Sequence, residues 1–166
     1  MTPQEEEAGQ ANTSAQVVVS STLTRMSLSF LTTPDGSGRK WSMSLKESAE
    51  GPDVPVTLGI NKGLFVVAAA ISHGALDPSD LWWKLSEEIL FVRMERLPPL
   101  LMLVAHMPVD RNPPHLLPDT IQDALSAVLS AVTFLVREHP EHVRPEPLMV
   151  SPTPPANGEG STPPQG

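Results

Sequence analysis

The stretch DPSDLWWKLSEEILFVRMERLPPLLMLVAHM (residues 77–107) contains a helix start, a helix and a hairpin in sequence. Asp77 offers a side-chain acceptor to the unpaired N–H groups of a first turn, Pro78 fits the first helical position, and Asp80 adds negative charge there. Leu81, Trp82, Leu85 and Ile89 recur at helical spacing, which predicts a short helix over 78–88. Ile89–Leu97 alternates more loosely, with Phe91 and Val92 suited to a strand and Arg93 and Glu95 turned outward. Pro98-Pro99 ends that strand. Leu100–Met107 is then an unbroken apolar run of strand length, so the two segments form a hairpin.

Upstream, two segments alternate with period two. Met26, Leu28 and Phe30 are separated by serines, as are Trp41, Met43 and Leu45, the pattern of half-buried antiparallel strands. The turn cluster Thr32–Gly38 between them predicts another hairpin. Val17–Val19 either extends the first strand backwards or forms a strand of its own. Leu64–Ile71 is ambiguous: its three alanines favour helix, whereas Phe65, Val66, Val67 and Ile71 favour strand. A central strand covered on both faces would read this way, and strand is the choice made, with Val56–Ile60 as a short extended approach.

Downstream, Asp119 or Thr120 can cap a helix running to about Glu138. Ile121, Ala124, Leu125, Val128, Ala131, Val132, Leu135 and Val136 form its apolar stripe. The fold class is therefore α+β: an antiparallel sheet of about five strands in β-β-β-α-β-β-α order, with a long C-terminal amphipathic helix packed on one side.

Composition sets the limits of this domain. Residues 1–15 hold Glu5, Glu6 and Glu7 among small polar residues, and Pro140–Gly166 carries eight prolines, so both read as disordered tails around a single domain at 16–139. The chain of 166 residues has formal net charge −8, but residues 16–139 contain ten Lys/Arg against thirteen Asp/Glu, a net of −3. That mild acidity disfavours a binder of phosphate backbones. The absence of cysteine excludes a disulfide framework, a thiolate metal site and a cysteine nucleophile. Met1–Ser21 is polar, without a secretory signal, and no run of 18 or more apolar residues suggests a membrane span, so the expected compartment is the cytoplasm.

The order of elements resembles the type III secretion chaperone-like fold, which includes the YbjN-like bacterial proteins. The resemblance is best over Leu76–Glu141. There, Asp77-Pro78-Ser79-Asp80-Leu81-Trp82 looks like the helix after the first three strands, Ile89–Met107 like the closing hairpin, Met107-Pro108-Val109-Asp110 like the exit from the last strand, and Ile121–His139 like the terminal helix. Two departures stand out: residues 1–15 lack the periodic apolar face of the family's opening helix, and Met107–Pro118 is long and proline-rich. The resemblance implies a small acidic dimer that holds other proteins, without catalytic centre or cofactor.

No nucleophile elbow, phosphate loop or His-Glu-x-x-His pair is present. His139 and His142 lie in Glu-His-Pro-Glu-His, where Pro140 breaks helical spacing, so no metal site is assigned. His73 and His106 read as hydrogen-bonded histidines at strand ends, and Glu87 and Glu88 as solvated helix surface. Non-enzymatic protein binding is the function expected. Trp82 and Trp83 cannot both face one core, so at least one is a contact candidate. Trp41, Arg93 and Arg96 complete the candidate partner-binding residues. Arg39, Lys40 and Trp41 with Arg93 and Arg96 would form a basic patch in the alternative, a single-stranded nucleic-acid binder. The outward faces of 26–30 and 41–45 carry almost no charge, and such edges favour a homodimer.

Overall fold

The computed structural model describes residues 15–35, 38–61, 64–89, 91–108 and 118–148. In chain order its elements are α1 (residues 15–25), β1 (Leu31–Asp35), β2 (Gly38–Leu45), β3 (Val54–Asn61), β4 (Leu64–Ser72), α2 (Pro78–Glu88), β5 (Arg93–Leu97), β6 (Leu100–Pro108), α3 (Pro118–Glu138) and β7 (Arg144–Glu146). The strands form one antiparallel sheet in the order β1-β2-β3-β4-β6-β5, with β7 also paired to β4. The α+β class and its long C-terminal helix are as expected, but the sheet has seven strands where about five were expected.

The ambiguous segment is strand β4, and its position explains the ambiguity. It pairs with β3 over Leu64–Ala68, with β7 over Ala70–Ser72, and with β6 along most of its length. A strand so enclosed needs no polar alternation, and residues 67–71 are buried without interruption. Phe65, Val67, Ala69 and Ile71 face a core shared with Trp41 and Met43 of β2, Leu58 of β3 and Leu103 of β6. Buried residues of all three helices close that core: Val19 and Leu23 of α1, Leu81 and Leu85 of α2, and Val128 and Leu135 of α3. The described helices therefore occupy one face of the sheet.

The N-terminal region corrects the sequence reading. Val17–Val19 is helical, not extended, because Ala15, Val19 and Leu23 bury one stripe at four-residue spacing while Val17 faces solvent. Tertiary burial here outweighs the strand propensity of three valines. The helix that the resemblance requires at the start of the fold is thus present, with residues 15–25 of it described. Met26–Phe30 is not a strand. Ser27 has φ 58, Ser27 N–H donates to Thr24 O, and Leu28 N–H donates to Leu23 O at 3.1 Å. This is a Schellman cap, which stops α1 and turns the chain. Met26, Leu28 and Phe30 still pack against the core, so their alternation marks buried positions without marking a strand. The strand of the hairpin begins at Leu31, and β2 lies between β1 and β3. The expected edges at 26–30 and 41–45 therefore do not exist; the outer strands are β1 and β5.

At the other end, α3 is long and apolar enough by length and composition to cross a membrane. Its apolar stripe is instead buried against β4 and β6, as expected of a core helix. The fold also continues beyond Pro140: Val143 is fully buried, and Arg144–Glu146 pairs with β4. Of the tails expected at 1–15 and 140–166, residues 1–14 and 149–166 lie outside the described residues.

Candidate functional site

Helix α2 is fixed by its cap and by two leucines. Asp77 accepts from Ser79 N–H at 2.9 Å, Pro78 begins the helix, and Leu81 and Leu85 enter the core. Residues one position on from Leu81 rotate by about 100° per step away from that core. Trp82 is consequently 40% exposed and Trp83 69% exposed. Trp82 lines a shallow depression with Pro78, Ser79, Met94, Arg96 and Leu101, of about 160 Å³. The floor comes from β5 and β6, because Met94 and Arg96 pair with Leu103 and Leu101 and share their helix-side face. Trp82 and Arg96 are therefore brought to one site by different elements.

Arg93 goes elsewhere. It pairs with Val104 and so points to the opposite face of β5, where its guanidinium is held by Glu95. Strand β5 pairs with β6 on one side and ends the sheet order on the other, leaving alternate backbone N–H and C=O groups directed outward. Phe91 before it is 80% exposed and Leu97 at its end 42% exposed. Among the described residues, four of the seven large apolar side chains exposed to solvent fall between Trp82 and Leu97. The sequence reading places Phe91 within a strand and gives Leu97 no role; the all-apolar run Ile89–Val92, too long to fit one buried face, is the available signal for Phe91.

Trp41 does not belong to this site. It is fully buried in β2, and its indole Nε1 donates to Ser20 Oγ of α1 at 3.1 Å. It is a core residue, so its candidacy as a surface contact is withdrawn. The basic patch also separates. Arg39 and Lys40 lie on β2 and Arg93 and Arg96 on β5, with β3, β4 and β6 between them. Four strand spacings of about 4.8 Å put the two pairs roughly 19 Å apart across the sheet.

Elsewhere, His73 Nδ1 lies 3.0 Å from Leu76 O, a local strand-end contact. His106 lines a cavity of about 240 Å³ with Phe91, Ala105, Met107, Thr120, Asp123 and Ala124, a mostly apolar lining. Among the described residues no three His, Asp or Glu side chains converge as a metal site would need. What the α2–β5 site can do chemically is recognise. An unpaired edge accepts an extended chain through its backbone, the depression takes an apolar side chain, and Arg96 suits a carboxylate.

No family model matches the chain, and no curated protein matches its sequence. In structure it is similar to the crystal structure of YbjN from E. coli, described there as a proposed transcription regulator. The TM-score is 0.52 at 11% sequence identity, over 77% of this chain and 94% of that one. That likeness extends over nearly the whole neighbour, and it establishes that this chain has a YbjN-like fold.

Proposed function

We propose that this chain is a non-catalytic protein-binding module, chaperone-like or adapter-like, that takes an extended segment of its partner along β5. One observation carries the reading: Trp82, Trp83, Phe91 and Leu97 are all exposed around an edge strand, beside Arg96. Aromatic side chains and arginine are the residues most often found to dominate binding energy. Strand addition supplies affinity through the backbone, while side-chain pockets supply selectivity. The cysteine-free chain needs no oxidising compartment, and the cytoplasm is its proposed location.

The proposal includes a homodimer, and the outer edge of β1 suits it better than β5. Leu31 is 75% exposed and Thr32 and Thr33 are exposed beside it, whereas β5 carries the charges of Arg93, Glu95 and Arg96. Light scattering of the full chain should give twice 17.9 kDa at tens of micromolar. A mass of one chain would remove the dimer.

A photo-crosslinking side chain at position 83 tests the binding site. It should trap protein from native lysate, and the same group at Ser44, on the other side of the sheet, should not. Equal capture from both positions would overturn the site. Anisotropy with a labelled single-stranded oligonucleotide tests the alternative: tight binding at low salt, falling steeply as salt rises, would favour nucleic acid over protein.

A further inference from the structure

Strand β5 offers a partner a short and defined stretch of backbone. Leu97 and Leu100 flank the turn Pro98-Pro99 and face each other across it. The pair that closes such a two-residue hairpin loop exchanges both backbone hydrogen bonds, and bonded pairs then alternate along the ladder. Glu95 with Met102 and Arg93 with Val104 are the next bonded pairs, so these residues turn their N–H and C=O groups towards β6. Met94 and Arg96 turn theirs outward from the edge. The bonds that they offer an incoming strand carry no sequence information, so selection falls to the side chains beside them.

The side chains of Met94 and Arg96 lie on the helix-side face, in the depression beside Trp82. Of the described residues lining that depression, Arg96 alone is charged. Two neighbouring cations are already paired: Lys84 with Glu138 of α3 at 3.3 Å, and Arg93 with Glu95. Arg96 is exposed and pairs with no carboxylate among the described residues. Asp77, at the start of α2, instead accepts from Ser79 N–H. Beside this one cation, Trp82 and Met94 present apolar surface.

We propose that β5 selects an antiparallel partner strand in which an acidic residue is followed two positions later by a large apolar one. This rests on the reading of β5 as the docking edge. Antiparallel pairing sets one partner residue directly opposite Arg96 and another directly opposite Met94, and opposed residues point to the same face. Because the two strands run oppositely, the residue opposite Arg96 comes first in the partner. It meets a guanidinium, which a carboxylate fits through paired N–H donors. The residue opposite Met94 meets Met94 and Trp82, where an apolar side chain leaves water. The residue between them falls opposite Glu95 on the other face, beside the completed Arg93–Glu95 pair, and needs no charge.

The test is fluorescence anisotropy of the full chain with three end-blocked, labelled peptides: KTVTEVLVTK, its Gln-for-Glu form, and the form with Glu and Leu exchanged. Both changes should weaken binding roughly fivefold. Arg96→Gln should abolish the discrimination between Glu and Gln, and Arg96→Glu should reverse it in favour of a Lys-for-Glu peptide. Amide NMR spectra of both variants check that the core is unchanged. In the wild-type complex, a nitroxide at the peptide N-terminus should broaden the Leu97 amide more than that of Arg93, as antiparallel entry requires. Strongest broadening at Arg93 would overturn that direction. Equal affinity for all three peptides, with β5 amides still shifting, would overturn the selection and leave the docking edge standing. No shift of any β5 amide would remove the edge and the selection together.

Discussion

The Trp41 indole on β2 and the Ser20 hydroxyl on α1 are joined by a 3.1 Å hydrogen bond at the edge of the core. It ties the N-terminal helix to the sheet through the largest buried side chain of the protein. Ser20→Ala leaves the indole N–H without a protein partner, which costs about 1–3 kcal/mol. The urea midpoint should fall, with the slope of the transition unchanged. A midpoint equal to wild type would mean that α1 is held by its leucine and valine contacts alone.

Ser27 bears a left-handed conformation with φ 58, which glycine adopts without steric conflict. Ser27→Gly is expected to stabilise the protein by roughly 0.5–1 kcal/mol, and Ser27→Val to destabilise it by more than that. Paired denaturation curves decide this. A destabilised glycine variant would contradict the cap.

Asp77 caps α2 by accepting from Ser79 N–H. Asp77→Ala should cost about 1 kcal/mol of stability. Asp77→Asn, which keeps an acceptor, should recover most of that loss. Equal loss in both variants would point to charge rather than capping.

Leu81 and Trp83 lie two positions apart and should behave oppositely. Leu81 is fully buried, so Leu81→Ala should cost about 2–5 kcal/mol. Trp83 is mostly exposed, so Trp83→Ala should change stability by no more than about 0.5 kcal/mol while weakening partner capture. Thermal unfolding and crosslinking yield, measured on the same preparations, separate the two effects.

Much of this fold is legible where a segment obeys one period and one set of caps. Helix α2 begins at Pro78 as its Asp-Pro start requires, and α3 buries the stripe that its spacing marks. The β3–β4 pairing is less plain, because Leu64–Ile71 reads as helix or strand and Val56–Ile60 only as a short extended approach. Legibility fails where burial and conformation part company. Met26, Leu28 and Phe30 alternate because they touch the core, yet a positive φ at Ser27 makes the segment a cap. Arg144–Glu146 has no strand signal, since Pro-Glu-Pro contributes neither apolar alternation nor branched side chains, and its pairing comes from the space that β4 leaves open. At the candidate site, Trp82 and Trp83 stand out by helical geometry alone. That Arg96 and not Arg93 joins them depends on which face of β5 each occupies, and hence on register.

A three-residue strand seated between two longer ones also divides the molecule by time. Opening β7 breaks few backbone bonds and releases Val143, while the β3–β4 ladder over 57–61 and 64–68 remains closed. Such sub-global openings require less free energy than complete unfolding. The amide protons of β4 directed at β7 over 70–72 should therefore exchange with deuterium well before those directed at β3 over 64–68. The central strand would then carry two clocks, a fast one beneath its last residues and a slow one beneath its first.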